Sequence, residues 1–262
     1  MNKIKIAIVI PCWKRSIVLE YVMNQFDLLY QKTPNYVDVM VIYVFSKNDP
    51  ELPQMLFNYL KSNHQRDYIY SANEFLGQKL NDGIWLALNY NFDYVMNCGS
   101  DDLIHPKLFD LYKKHLLNKE LLFGINKLYF YKDDQDPLFF SGYNKPYVVG
   151  AGRMIHKSIL MHVFSEYGGL YSKDINRGMD TMSSNRMHEI GYVEKTVNPG
   201  KFPYVIDIKS NININSFQKI NRSGNATKHI VPADRYYLFR HFKILQEYEF
   251  QITNLSAKKV FS

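Results

Sequence analysis

Cysteine is nearly absent from this chain: two of 262 residues, Cys12 and Cys98, both at the ends of predicted strands. Neither has a partner at metal-ligand spacing, which argues against a disulfide framework and a cysteine zinc site and fits a reducing compartment. No apolar run approaches the roughly 20 residues that a bilayer span needs. The opening Met1-Asn2-Lys3-Ile4-Lys5-Ile6 enters a strand without the layout of a secretory leader, so a cytoplasmic location is expected. The Asn-x-Ser/Thr triplets at Asn221, Asn225 and Asn254 then read as chance matches in an asparagine-rich sequence. Glycine signatures are missing as well. No Gly-x-Gly-x-x-Gly follows the first strand and no Gly-x-x-x-x-Gly-Lys-Ser/Thr occurs, which argues against dinucleotide oxidoreductases and P-loop enzymes. There is no His-Glu-x-x-His, no Gly-x-Ser-x-Gly and no internal repeat.

What the chain does have is apolar mass, 46% of its residues, enough for one large domain or a domain with an appendage. Its formal charge is +7, with a pI near 9.1. That balance favours polyanionic partners, namely a nucleotide, a nucleic acid or an anionic membrane face. The basic residues are scattered, without the dense Lys/Arg run on one face that marks a nucleic-acid footprint.

Residues 4–10 form an almost unbroken β-rich run, the pattern of a parallel strand covered on both faces. It stops at Pro11-Cys12-Trp13-Lys14-Arg15, and Ser16 stands where it can cap a helix with the stripe Val18, Val22, Phe26, Leu29. A second strand is predicted over 37–45, closed by the turn cluster 46–50 and followed by a helix carrying Leu52, Met55, Leu56 and Tyr59. A short strand over 68–70, a helix over 74–90 with Leu76, Leu80, Ile84 and Leu88 on one face, and a strand over 94–96 come next. This alternation predicts an α/β, Rossmann-like fold with a mostly parallel central sheet. Beyond residue 118 the texture changes. Strands over 121–131 and 138–149 predict a smaller antiparallel annex, followed by helices over 157–166 and 181–190 and strands over 192–197 and 204–208. Residues 210–228, mostly Asn, Ser, Lys and Ile, read as a mobile loop. A C-terminal helix over 232–251 turns Leu238, Phe242 and Leu245 inward.

The stretch Tyr94-Val95-Met96-Asn97-Cys98-Gly99-Ser100-Asp101-Asp102 carries the most chemistry. A buried strand ends in a Gly-Ser turn and presents two adjacent carboxylates, before Pro106 opens a helix expected over 106–118. Acids at such a place cost free energy unless a cation answers them, and the carboxyl ends of strands are where open α/β sheets bind ligands. A divalent ion carrying a diphosphate is one answer, because hard cations take carboxylate and phosphate oxygens. A solvated turn whose Asp caps the next helix is the other.

Four motifs in order favour the first. Ile6-Ala7-Ile8-Val9-Ile10-Pro11 with Arg15, then Asn73 through Gly77-Gln78-Lys79-Leu80-Asn81-Asp82-Gly83, then Gly99-Ser100-Asp101-Asp102, then Gly178-Met179-Asp180 together resemble the GT-A-fold glycosyltransferases of the large family-2-like group, from about residue 6 to 208. Two departures stand out: Gly99 replaces the first acid of the Asp-x-Asp signature, and Met179 replaces the first acid of the base motif.

The resemblance implies a nucleotide-sugar-dependent, metal-assisted glycosyltransferase whose donor is a nucleoside-diphosphate sugar, a UDP-sugar first. It implies Pro11, Arg15, Asp49, Lys79, Asn81, Ser100 and Asp101 as donor-binding residues, Asp102 and His229 as ligands of Mn2+ or Mg2+, and Asp180 as the catalytic base of an inverting transfer. It implies a core over 1–208, with a nucleotide-sugar half over 1–118 and an acceptor half over 119–208, and a mobile loop plus helical segment over 209–262. The acceptor stays open between glycan, lipid-linked saccharide, protein and a hydroxylated base of nucleic acid. A sugar nucleotidyltransferase shares such a sheet, yet needs a Gly-rich, Arg-containing loop after the first strand, which Pro11–Arg15 lacks.

Overall fold

The computed structural model describes residues 3–142, 147–210, 217–218, 220 and 229–260, with side chains to 254 in the last helix. Strands β1 (Ile4–Pro11), β2 (Val37–Phe45), β3 (Arg66–Tyr70) and β4 (Tyr94–Asn97) alternate with helices α1 (Ser16–Lys32), α2 (Leu52–Lys61) and α3 (Leu76–Asn89). All four strands run parallel, in the order β4-β1-β2-β3. The two-residue period of β1 explains its unbroken apolar run. Ile6, Ile8 and Ile10 enter the core that α1 covers, while Ala7 and Val9 enter the core that α3 covers.

The chain then crosses between two sheets. After the turn at 98–101, β5 (Asp102–Ile104) leaves the first sheet for a second one, and α4 (Leu108–Leu117) follows. The helix expected from Pro106 therefore starts two residues later, and a strand that the sequence reading did not foresee begins at the second acid. The long strand expected over 121–131 is two strands, β6 (Leu122–Ile125) and β7 (Leu128–Lys132), because each half pairs in a different sheet. Strand β8 (Gln135–Phe140) closes a hairpin with β7, and β9 (Met154–His156) inserts antiparallel between β4 and β6. Helices α5 (Lys157–Tyr167) and α6 (Met179–Glu189) and strands β10 (Lys195–Val197) and β11 (Val205–Ile208) complete the region. The main sheet has the order β10-β6-β9-β4-β1-β2-β3, parallel except around β9.

The second sheet is completed by β12 (Ile230–Pro232) and has the order β12-β8-β7-β11-β5. It is antiparallel but for the β7/β11 pair. The single C-terminal helix expected over 232–251 is α7 (Arg235–His241) and α8 (Lys243–Val260). The break falls at Phe242, whose backbone leaves helical angles (φ −126°, ψ 84°) while its ring packs against His105 with centroids 5.3 Å apart. Leu238, Phe242 and Leu245 are buried as expected, and Tyr248 meets Tyr21 of α1 edge-on at 5.3 Å. The loop expected over 210–228 lies almost wholly outside the described residues. Among the described residues no helix is long and apolar enough to cross a membrane.

Candidate active site

The crossing from β4 to β5 places the two acids where both sheets meet. Asp102 is buried, and across the antiparallel β5/β11 ladder it stands opposite Asp207. Carboxylate oxygens of Asp101, Asp102 and Asp207 all lie within 4.8 Å of one another. A Cβ at Gly99 would stand 2.5 Å from Asp101 Oδ1 and 2.8 Å from Asp102 Oδ2, so a larger residue there requires these carboxylates to move. The linear signature lacks one acid here, and a third carboxylate arrives from β11. Asp207 was not foreseen. It is one acid in Val205-Ile206-Asp207-Ile208, a run that reads simply as a strand, and only the register shows it beside Asp102.

Two cations hold this cluster. Arg15 Nη1 lies 2.8 Å from Asp101 Oδ2, and Lys209 Nζ pairs with Asp207. Lys209 was also unforeseen. Burial pulls its ammonium down, but Asp207, Asp101 and Asp102 outweigh burial and its pKa is raised. Burial, then Asp207 and Asp101, push Asp102 well above the usual carboxylate range. Asp207 rises to about 6, mainly through burial, with Lys209 pulling the other way. Asp102 Oδ2 accepts from the Gly99 amide at 2.5 Å, whereas the buried Oδ1 of Asp207 has no hydrogen-bond partner among the described residues. A buried carboxylate oxygen without a donor fits a cation, and three carboxylates this close together suit a hard divalent ion such as Mn2+ or Mg2+.

The loop after β1 brings Arg15 here. Lys14 and Arg15 both take left-handed angles (φ 54° and 60°), at a cost of about 1–2 kcal/mol each for residues with a side chain. Charge-assisted hydrogen bonds offset that cost: Lys14 N donates to Asp49 Oδ2 at 2.6 Å and Ser16 N to Glu51 Oε2 at 2.7 Å. This corrects the expectation that Ser16 caps α1. Arg15 occupies the cap position with no side-chain cap, and Glu51 answers the orphan amide. Asp49, expected on the nucleoside, lines neither of the two cavities below and spends its other oxygen on the Glu51 amide.

Two cavities flank the acids. One, of about 310 Å3, is lined by Pro11, Trp13, Arg15, Asn73, Lys79, Ser100 and Asp101 among others. Lys79 is buried and donates to Ser46 Oγ (2.8 Å), Asn73 Oδ1 (3.0 Å) and the Cys12 carbonyl, all neutral groups. Burial lowers its pKa to about 8, Cys12 and Asp49 opposing. The other cavity, of about 500 Å3, contains Asp180 and a largely apolar wall. Pro11, Leu76, Gly99, Asp102, Asp207 and Lys209 border both.

Asp180 sits in the first turn of α6, behind the left-handed Gly178, which holds the cap position. Its Oδ2 accepts from Gly150 N at 3.1 Å. Buried Arg153 steadies this turn, donating to Ser183 Oγ at 2.6 Å and to the Asp180 carbonyl at 3.4 Å, with Glu194 3.4 Å from its Nε.

The structure therefore brings Pro11, Arg15, Lys79, Ser100, Asp101, Asp102 and Asp180 around two adjoining cavities. It does not bring Asn81 or His229. Asn81 is buried away from both cavities, its amide clasping the backbone of Tyr171 through Nδ2 (2.8 Å) and Oδ1 (3.0 Å). His229 is outside the carboxylate group, and its carbonyl is held by Ser141 beyond β8.

No family model and no curated protein matches this sequence. Solved structures do match its fold. TarS of S. aureus superposes with a TM-score of 0.54 at 13% identity, over 79% of this chain and 37% of that one. TarS 1-349 in complex with UDP gives 0.52 at 13%, over 79% and 61%. The mannosyltransferase PcManGT from Pyrobaculum calidifontis, in complex with GDP-Man and Mn2+, gives 0.54 at 12%, over 87% and 64%. The chain spans less than two thirds of the length of each of these relatives. Identity this low speaks for architecture alone, and on architecture the result is plain: this chain has the GT-A-like fold of the nucleotide-diphospho-sugar transferases.

Proposed function

We propose that this protein is a glycosyltransferase that moves a sugar from a nucleoside-diphosphate sugar to an acceptor hydroxyl with inversion. The observation that carries the reading is the position of the three-carboxylate cluster, on the border between a cation-lined cavity and one that contains Asp180. The structures with UDP and with GDP-Man and Mn2+ support a nucleotide-sugar donor. In this reading residues 1–118 supply most of the donor site, with a UDP-sugar the first candidate, and residues 119–208 supply the acceptor side.

Asp101, Asp102 and Asp207 would hold Mn2+ or Mg2+, which offsets charge building on the leaving diphosphate as a Lewis acid. Arg15 and Lys209, already paired to the outer acids, stand ready to donate to phosphate oxygens. Lys79 lines the same cavity, 5.7 Å from the centre of the Trp13 ring. Asp180 takes the proton of the acceptor hydroxyl as it attacks, and the Gly150 amide orients its carboxylate for this. A single carboxylate acting as base in the cavity that Asp102 and Asp207 also line fits inversion. Nucleotidyl transfer is the weaker reading, since the loop after β1 offers no run of glycine amides for a triphosphate.

The test is a panel of UDP-, GDP- and TDP-sugars with Mn2+ or Mg2+, read by thermal stabilisation and by nucleotide release. At about 100 times its dissociation constant a ligand adds roughly 2.7 kcal/mol. One donor with metal should stabilise the protein and release nucleotide. No stabilisation by any nucleotide under either metal contradicts the proposal.

A further inference from the structure

One face of the second sheet forms the floor of the larger cavity, and its chemistry changes along the strand order. Asp102 on β5 stands opposite Asp207 on β11, and Asp207 opposite Phe130 on β7. Two residues along β7, on the same face, Leu128 stands opposite Phe140 on β8, which stands opposite Ile230 on β12. All of these residues line the cavity. The floor is thus anionic over β5 and β11 and wholly apolar over β7, β8 and β12. With strands about 4.8 Å apart, the apolar part extends roughly 10–14 Å from Asp207. Val149 and Met179 continue it on the walls.

Polar groups in the cavity are few. Apart from the acids and Lys209 they include Asp180 and Asn97, whose buried Oδ1 has no hydrogen-bond partner among the described residues. A cavity of about 500 Å3 with an apolar floor and a few aimed polar atoms suits a compact ligand that is mostly apolar with one or two hydroxyls. An extended polar glycan chain would leave its hydroxyls unpaired over β7, β8 and β12, which costs affinity for each.

We infer that the acceptor presents its hydroxyl beside Asp180 on an apolar body, alkyl or aryl, which lies on the Leu128–Phe140–Ile230 floor. The inference rests on the transferase reading above, in that it takes this cavity as the acceptor side. Asn97 would accept from a second hydroxyl next to the first.

The experiment titrates a series of glucosides (methyl, butyl, hexyl and phenyl) against free glucose, by calorimetry, into the full chain with UDP and Mn2+ present. Affinity should rise about fourfold per methylene that enters the cavity, the factor equivalent to ~0.8 kcal/mol. A rising alkyl arm with a weak phenyl arm marks a lipid-like body, and the reverse marks an aryl one; either supports the inference. Ile230→Asn, at a half-buried position outside the nucleotide cavity, should flatten the series and leave UDP affinity within twofold. If UDP binds normally but the apolar glucosides bind no better than glucose, the acceptor inference is wrong while the transferase reading stands. If UDP with Mn2+ does not bind the wild-type protein, the transferase reading fails and takes the inference with it. A steep series that Ile230→Asn and Phe140→Ser both leave unchanged, in folded protein, places the apolar body elsewhere and overturns the assignment.

Discussion

Replacing Asp102 by asparagine should make the metal-free protein more stable and, at the same time, blind to nucleotide. Asp102 is buried among like charges, with oxygens of Asp101 and Asp207 within 4.8 Å. At an effective dielectric of about 20 each such pair, if both acids are charged, costs about 3.5 kcal/mol or more. Arg15 on Asp101 and Lys209 on Asp207 cancel most of this. What remains for Asp102 is the cost of a buried charge short of partners, roughly 1–3 kcal/mol. Asparagine keeps the shape and can still accept from the Gly99 amide. For a chain of this length 1 kcal/mol moves Tm by about 2 °C, so Asp102→Asn should melt about 2–6 °C higher. The pH dependence has a definite sign. An acid whose folded pKa is raised stabilises the fold below its unfolded value and loses that contribution as pH rises through the folded value. Wild type and Asp102→Asn should therefore melt together near pH 4 and diverge as pH rises, with the variant on top. Adding UDP and Mn2+ should stabilise wild type and leave the variant unmoved. A variant that melts lower at every pH, and still gains from UDP and Mn2+ as wild type does, refutes this picture of the cluster.

Asp180→Asn should keep UDP–Mn2+ affinity within twofold, by calorimetry, and lower turnover about 10²–10⁴-fold, by nucleotide release with acceptor present. Gly150→Ala tests the same contact from the other side. The new methyl would collide with Asp180 Oδ1, so turnover should fall while donor affinity holds. Lys209→Met leaves the mostly buried Asp207 carboxylate without its cation, and chemical denaturation near pH 8 should show a loss of about 3 kcal/mol or more that shrinks as pH falls towards 6.

The fold was legible where its periodicity was strong. The stripes of α1 and α3 and the unbroken runs of β1 and β2 fix a parallel sheet, because each pattern is answered by one face or two faces of burial. The annex was legible only in outline. Residues 121–131 read as one strand because apolar patterning does not say which sheet a strand joins, and three-residue β5 and β9 are too short to show a period. At the site, Asp101, Asp102, Arg15 and Asp180 stood in motifs, and the structure gathers them. Asp207 and Lys209 stood in none, since Asp101 and Asp102, which they meet, lie about a hundred residues away and strand register brings them together. Asn81 and His229 entered by resemblance of sequence and are placed elsewhere because tertiary contacts with Tyr171 and Ser141 claim them.

In the proposed reading the three carboxylates form one site for a metal-bound diphosphate. Calorimetric titration of UDP into wild type and into Asp207→Asn, with Mn2+ and with EDTA, tests it most directly. Mn2+ should tighten UDP binding to wild type at least tenfold, and Asp207→Asn, changed at a position no linear motif marks, should lose that gain. Equal UDP affinity with and without Mn2+, or a full Mn2+ effect in Asp207→Asn, contradicts it.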